Sequence, residues 1–534
     1  MDCPDTACAD APSVLRLRLP SALVGALLAG LFLSTCLVGC GADNGIALPN
    51  EQPTESLEQE GYDALARFVF FTDVHVTDEE SPARLPTFTT GSPSAWRPQE
   101  PYSTQILDGT IRAVNAMHAA GRNIDFVISA GDAIDNRQTN ELNWFCDVFD
   151  GKQIDPLSGV DDRPVDNRPP ADLDPHVPFQ AEGLYHQGVH GELPAIPWYA
   201  AIGNHDSFAL GIFPVLRNLS GRLVAPLPGP LRVGLLLPTV LYPAGSIAYN
   251  PITPDNPGPF YGVGLPTRIM PVPERRYLTV AEMLERFRDT DTTPVGHGFP
   301  DGNTTWYSVS PLDGLRLIVL NTSDVPLPLI GGIYDAGAVS AAQVDFLKRE
   351  LERADARGEL VIVVSHHPSY YLLRWLGSAL TGSELVDLLN EYPNVIAHLA
   401  GHSHRHRVWD RGGYVEFETA AIIDYPQEAR LIEIWRRGDE VALRYEVFSH
   451  VYEGAAFAEL SPPPDDPYLA MRRTALDLAR VHSESFELLP VLRSSPEWET
   501  AIDAPDERLP LPTDRNGMWQ KRLHESRMAP SAGE

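Results

Sequence analysis

Five short blocks, each directly behind an apolar run, constrain this chain more than anything else in it. They are FTDVH at 71–75, SAGDAIDN at 129–136, AIGNHD at 201–206, VVSHHP at 363–368 and LAGHSHRH at 399–406. The runs leading into them are RFVFF, DFVIS, IPWYAAI, ELVIVV and NVIAHLA. Short runs rich in Val and Ile and bounded by turn residues predict buried strands. Asp, Asn and His placed just past five such strands would gather along one edge of a sheet core, where open α/β folds carry their chemistry.

The residue types in the blocks are those of metal ligands. Asp73 and His75 stand two apart in an extended segment, so both side chains point the same way. In the GDxxD pattern, Asp132 and Asp135 bring a second carboxylate to a place that two cations could share. Asn204 offers a neutral oxygen, and His366, His402 and His404 offer nitrogens. Imidazole suits Zn, Fe, Mn or Ni, and the carboxylate and amide oxygens add harder character. Thiols are too few for a structural zinc site and imidazoles too many for a calcium loop. Two adjacent divalent ions could activate a water and hold a phosphoryl oxygen.

Taken in order, DVH, GDAID, GNHD, HH and GHSH resemble the motif set of the calcineurin-like metallophosphoesterase superfamily, spanning residues 73 to 404. Any one motif alone is weak; the ordered set is specific. The resemblance implies an α/β fold, a four-layer α/β/β/α sandwich, and hydrolysis of a phosphodiester or phosphomonoester by a hydroxide bridging two divalent ions (Mn, Zn or Fe). It assigns Asp73, His75 and His404 to the first metal and Asn204, His366 and His402 to the second, with Asp132 bridging. It makes His205 the transition-state stabiliser and general acid, with Asp206 holding its ring. Purple acid phosphatases place a Tyr three residues after the bridging Asp. Asp135 stands there in this chain, so no iron-tyrosinate is implied. Bacterial two-domain 5′-nucleotidases carry a large C-terminal substrate domain, which the Pro-rich end of this chain does not resemble.

Other polar residues near the motifs have plainer readings. His367 supports the ligands or takes a direct role, His406 is a solvated loop residue, and Asp135 and Asn136 order the turn after Asp132. His176, His186, His190 and His297 read as surface residues, with His297 an alternative cap residue. Arg137 is a weak candidate for binding substrate phosphate.

With 72 acidic and 41 basic side chains, the formal net charge is -31. That balance, without a basic run, argues against nucleic-acid or anionic-membrane partners. The partner expected is a phosphate-ester substrate, with local positive charge supplied by the metals.

At the N-terminus, Arg16 and Arg18 precede the apolar stretch LVGALLAGLFLSTCLVG, which ends at Cys40. Leu37-Val38-Gly39-Cys40 is similar to the lipobox of bacterial lipoproteins. It implies export, cleavage before Cys40, a lipid on that residue and, with Gly41 next, an outer-membrane location; the alternative is a plain transmembrane anchor. Of the five cysteines, only Cys146 would remain within the folded part, as an inert buried thiol.

The expected organisation is a signal peptide at 1–39, a polar tether at 40–66, the phosphoesterase domain at 67–455 and a Pro-rich extension at 456–534. Two insertions, about 137–195 and 207–304, interrupt the domain, the second as a cap. Helices are predicted at 103–120, 278–289, 381–391 and 466–483, and one with Ser340 as its N-cap. Hairpins are predicted at 304–324, around Asp313-Gly314, and at 431–448. Two alternative functions stay open: hydrolysis of phospholipid headgroups, with the apolar segment 231–243 reaching lipid, and non-catalytic binding at the surface on the same scaffold.

Overall fold

The computed structural model describes residues 57–79, 81, 97–158, 170–190, 194–217, 273–324, 336–374, 377–460, 466–487 and 512–523, with short pieces at 223–224, 240–243, 266–269 and 462–463. The expected signal segment, the Cys40 motif and much of the expected cap, including most of 231–243, lie outside the described residues. No helix among the described residues is long and apolar enough to cross a membrane.

Two six-stranded sheets carry the core. The first uses β1 (Asp63–Phe71), β2 (Phe126–Ser129) and β3 (Trp198–Ala200), then the hairpin β10 (Glu428–Arg437) and β11 (Glu440–Ser449), with β12 (Gly517–Arg522) at its edge. Their spatial order is β12-β11-β10-β1-β2-β3, and β1, β2 and β3 run parallel. The second uses β4 (Tyr307–Leu312), β5 (Leu315–Val319), β6 (Leu360–Val364), β7 (Val395–Ala400), β8 (Arg407–Asp410) and β9 (Val415–Glu418). Its order is β4-β5-β6-β7-β9-β8, with β5, β6, β7 and β9 parallel.

Strand periodicity explains the layers. Along β5 and β6, Leu317, Val319, Ile362 and Val364 join a core shared with Phe68, Val127 and Leu431 of the first sheet. The alternate residues Ile318, Val361 and Val363 pack on the other side. There they meet Val344, Leu347 and Leu351 of α4 (Ala341–Arg357) and Leu385 and Leu389 of α5 (Gly382–Asn390). Helices α1 (Ser103–Met117), α2 (Thr139–Phe149) and α6 (Leu469–Glu487) belong with the first sheet. Each fully buried Leu or Phe here is worth roughly 1.5–3 kcal/mol. The expected helix–sheet–sheet–helix α/β sandwich is the fold of the described residues.

Several details differ from expectation. β1 starts at Asp63, and Leu57 and Tyr62 pack with Trp435 and Ala442, so the end of the presumed tether is part of the core. The first insertion opens with a buried helix, α2, whose Cys146 is fully enclosed, with its thiol pushed up to about 12 by burial. From the second insertion, α3 (Val280–Arg288) lies on α2, where Arg286 Nη2 meets Asp147 Oδ1 at 2.7 Å. The C-terminal extension returns to the core as edge strand β12, paired antiparallel to β11. His176, His186 and His297 are buried. His297 stacks on Trp198 with ring centroids 3.5 Å apart, a packing role rather than a cap surface.

Candidate metal centre

The loops leaving the parallel strands of both sheets are sewn together by their own backbone. The N–H groups of Asp73, His75 and Val76 donate to the carbonyls of Gly131, Asp132 and Ala133 at 3.1, 2.9 and 3.0 Å. Gly401 N–H donates to His366 O at 2.9 Å, and His402 N–H to Asp73 Oδ2 at 2.8 Å. The close approach demands glycine. A Cβ on Gly203 would stand 2.1 Å from Asp132 Oδ1, and one on Gly401 would stand 2.4 Å from Asp73 Oδ2.

Asp73, His75, Asp132, His402 and His404 all adopt left-handed backbone, with φ of 53°, 46°, 50°, 67° and 55°. Such conformations cost of order 1–3 kcal/mol each and cluster where a site dictates geometry. Here the strain turns five side chains inward onto one point.

All seven residues assigned by motif converge. Asp73 Oδ1 lies 3.7 Å from His75 Nε2 and 3.2 Å from His404 Nε2. Asp132 Oδ2 lies 3.6 Å from His75 Nε2 and 3.1 Å from His366 Nε2. Asn204 Oδ1 lies 3.0 Å from His366 Nε2 and 3.2 Å from His402 Nδ1. Asn204 is oriented by its amide, which donates to Gly211 O at 3.1 Å and so turns the carbonyl oxygen toward the histidines.

The far ring nitrogens are held. His75 Nδ1 meets Asp135 Oδ1 at 2.9 Å, His404 Nδ1 meets Asp424 Oδ2 at 2.7 Å and His366 Nδ1 meets Ala130 O at 3.0 Å. Carboxylates and carbonyls on the outer nitrogen fix ring orientation and strengthen the inner nitrogen as a ligand. Arg97, fully buried, lies 2.9 Å from Asp424 and 3.4 Å from Asp135, so one guanidinium tethers the supports of two rings.

The cluster fits a divalent cation. Asp73 Oδ1 and His75 Nε2 are fully buried and make no hydrogen bond of acceptable geometry. Each such orphan costs roughly 1–3 kcal/mol unless something else satisfies it. The electrostatics agree. Burial alone would push the Asp73 carboxyl up, but the His404 and His366 rings hold it well below the usual carboxylate range. Burial lowers His366, but Asp132 and Asp73 raise it to about 9. Burial likewise lowers His404, but Asp73 and Asp424 raise it to about 10. The two carboxylates thus pull positive charge into the site, and donors of this kind exchange protons for metal.

His205 stands beside this cluster, its ring 4.4 Å from that of His75. Its Nδ1 donates to the Asp135 carbonyl at 2.8 Å, and its N–H donates to Asp132 Oδ1 at 2.8 Å. The expected partner, Asp206, does something else. It accepts from Gly203 N–H at 2.8 Å and Ile134 N–H at 3.2 Å, bracing the turn rather than the ring. A carboxyl three residues into a short helix reaches back to the free N–H of the N-cap, here Gly203, and its other oxygen takes the N–H of Ile134 from the neighbouring loop.

Of the remaining candidates, His367 is buried beside His402 and shares a hydrogen bond with Thr322 Oγ1 at 2.8 Å. His406 is buried too, 3.1 Å from Glu428, and is not a solvated loop residue. Asn136 binds Glu141, whereas Asp135 supports two rings. Arg137 spends its guanidinium on the carbonyls of Leu278 and Ser207. Sequence reasoning missed Arg97, Asp424 and Gln99, whose amide donates to Asp424 Oδ1 at 3.0 Å. Asp424 carried a signal, since it closes the apolar run ETAAIID behind β9; Arg97 carried none.

Comparison with known proteins adds the following. A family model described as calcineurin-like phosphoesterase matches residues 66–406. The manganese-dependent ADP-ribose/CDP-alcohol diphosphatase of Xenopus tropicalis is 32% identical over 101 residues, 18% of this chain and 28% of that protein. The enzyme of the same name from Xenopus laevis is 30% identical over 101 residues, 18% and 27% of the two chains. This chain therefore spans under a third of the length of the curated relatives it matches. Among solved structures, a dimetal phosphatase from Danio rerio shares 12% identity at a TM-score of 0.35, covering 71% of this chain and 96% of its own. GAP50, the anchor in the inner membrane complex of Plasmodium, shares 11% at 0.32, covering 78% and 95%.

Proposed function

The chain belongs to the calcineurin-like phosphoesterase family and is a metallophosphoesterase, and from that premise we propose that it is an exported enzyme that hydrolyses a phosphodiester or phosphomonoester with two divalent ions. The convergence of Asp73, His75, Asp132, Asn204, His366, His402 and His404 around two buried atoms without a hydrogen bond, Asp73 Oδ1 and His75 Nε2, supports this reading above all. Asp73, His75 and His404 would hold one ion, Asn204, His366 and His402 the other, and Asp132 faces both groups. Bound there, the ions supply Lewis-acid charge for a phosphoryl oxygen and lower the pKa of a water.

The chain's own residues do the rest. Asp135 and Asp424 fix the outer nitrogens of His75 and His404, which keeps the inner nitrogens aimed at Asp73. His205, pinned by the Asp135 carbonyl at Nδ1, has Nε2 left to give a proton to the departing oxygen. Asp206 fixes the turn that carries both Asn204 and His205.

The test is hydrolysis of a generic phosphodiester and a generic phosphomonoester by the full chain in detergent, with Mn²⁺, Zn²⁺ or chelator. Turnover is expected with metal, lost with chelator and lost in Asn204→Ala. Equal turnover in Asn204→Ala would refute its place as a ligand. The preferred arm assigns diester or monoester.

The Leu37–Cys40 motif supports a lipid anchor at Cys40, in the outer membrane or on the periplasmic side of the cell envelope. Cys40→Ser is expected to move the protein from the membrane to the soluble fraction. Membrane fractionation that persists in this variant would contradict the anchor.

A further inference from the structure

A strip of aromatic rings leads away from the metal-facing histidines. The turn Ser369–Tyr371 begins three residues after His366, immediately behind Pro368. Tyr371 meets His402 edge to face, with centroids 4.6 Å apart and planes at 83°. Tyr370 follows at 5.0 Å from Tyr371, and Trp409, from β8, at 6.5 Å from Tyr370. All three side chains are partly exposed rather than buried.

The outer end of the strip is locked in place by one buried carboxylate. Glu418 accepts from Trp409 Nε1 at 2.6 Å, Tyr370 OH at 3.0 Å and Ser403 Oγ at 2.8 Å. Arg407 donates to Tyr370 OH at 2.8 Å, and Arg407 and Arg411 flank the Trp409 ring at 6.0 and 5.1 Å. Both cations are neutralised, Arg407 by Glu418 at 3.5 Å and Arg411 by Glu416 at 2.9 Å. The strip therefore offers rigid ring surface next to the reacting centre rather than net charge. Rigid, partly exposed rings lose little entropy on contact and accept any flat π-face.

We propose that this strip receives an aromatic or heteroaromatic group carried by the phosphoester, with Tyr371 as the first stacking surface. The inference rests on the reading of the His–Asp cluster as the phosphate-binding centre. It deepens that reading by naming the class of substrate: an ester whose phosphate is attached to, or one short linker from, a flat ring.

Titration calorimetry on the Mn²⁺-loaded full chain tests it with two non-hydrolysable probes, phenylphosphonate and propylphosphonate. The wild type is expected to bind the phenyl compound about tenfold more tightly, the scale of one ring-on-ring contact. Tyr371→Ala is expected to erase that preference, and Tyr371→Phe to keep it. Equal binding of the two phosphonates by the wild type overturns the proposal and needs no variant to fold. A Tyr371→Ala protein that weakens both probes alike also overturns it, since that marks Tyr371 as a support for His402 alone. Binding of neither phosphonate, with no Mn²⁺ taken up, would instead overturn the phosphoesterase reading on which the proposal stands.

Discussion

Asp132→Asn is expected to lower turnover on the order of 10³-fold and to reduce the metal content of the purified protein. Asp132 Oδ2 faces His366 Nε2 at 3.1 Å and His75 Nε2 at 3.6 Å, so one carboxylate serves both ligand groups. Its other oxygen accepts the His205 N–H at 2.8 Å and so fixes the backbone of the residue proposed to donate a proton. Asparagine keeps the volume but removes the anionic charge and turns an N–H₂ toward a ring nitrogen or the His205 N–H. Loss of one preorganised electrostatic group alone typically costs about 10²–10³-fold. Loss of a shared ligand also weakens cation binding on both sides. Metal analysis of the variant beside steady-state turnover decides the matter. Two equivalents of metal and activity within tenfold of the wild type would show that Asp132 does not join the two ligand groups.

The parts of this site that could be read from the chain are those with a local signature. Each ligand follows an apolar strand by two to four residues, so sequence order alone puts Asp73, Asp132, Asn204, His366 and His402 just past strand ends. Parallel pairing of those strands then brings the ends to one side. The parts that could not be read depend on distant meetings. Arg97 reaches Asp424 across 327 residues, and nothing near Arg97 marks it as buried or paired. Edge strand β12, GMWQKR, is mostly polar because it is covered on few sides, so it lacks the apolar run that marks the inner strands. His406 and His297 lack any local mark of burial, since histidine is intermediate between buried and exposed types, yet each has a buried partner, Glu428 for the one and Trp198 for the other. Asp206 was legible as a site residue by its place in GNHD, but its partner depended on which N–H groups the turn leaves free.

His205→Ala carries the second large effect, and its signature differs from that of Asp132. The His205 ring is anchored at Nδ1 by the Asp135 carbonyl at 2.8 Å, and Gly211 lies so close that a Cβ there would stand 2.3 Å from its Nε2. Both restraints hold the ring in one orientation, beside Asp132 yet outside the set that faces Asp73. On the proposed reading, a residue so placed would serve the reacting phosphoryl group and its departing oxygen rather than the cations. Turnover is expected to fall by about 10²–10⁴-fold, the usual worth of a positioned general acid. The metal content should stay at the wild-type level, because all seven ligand side chains remain. The deficit should also shrink for an ester whose leaving oxygen needs no proton, such as a nitrophenolate, relative to one leaving as an alkoxide. That comparison separates proton donation from mere packing, since a packing defect would slow both esters alike. Loss of metal in His205→Ala would instead place this ring among the ligands, as its 4.4 Å approach to His75 permits.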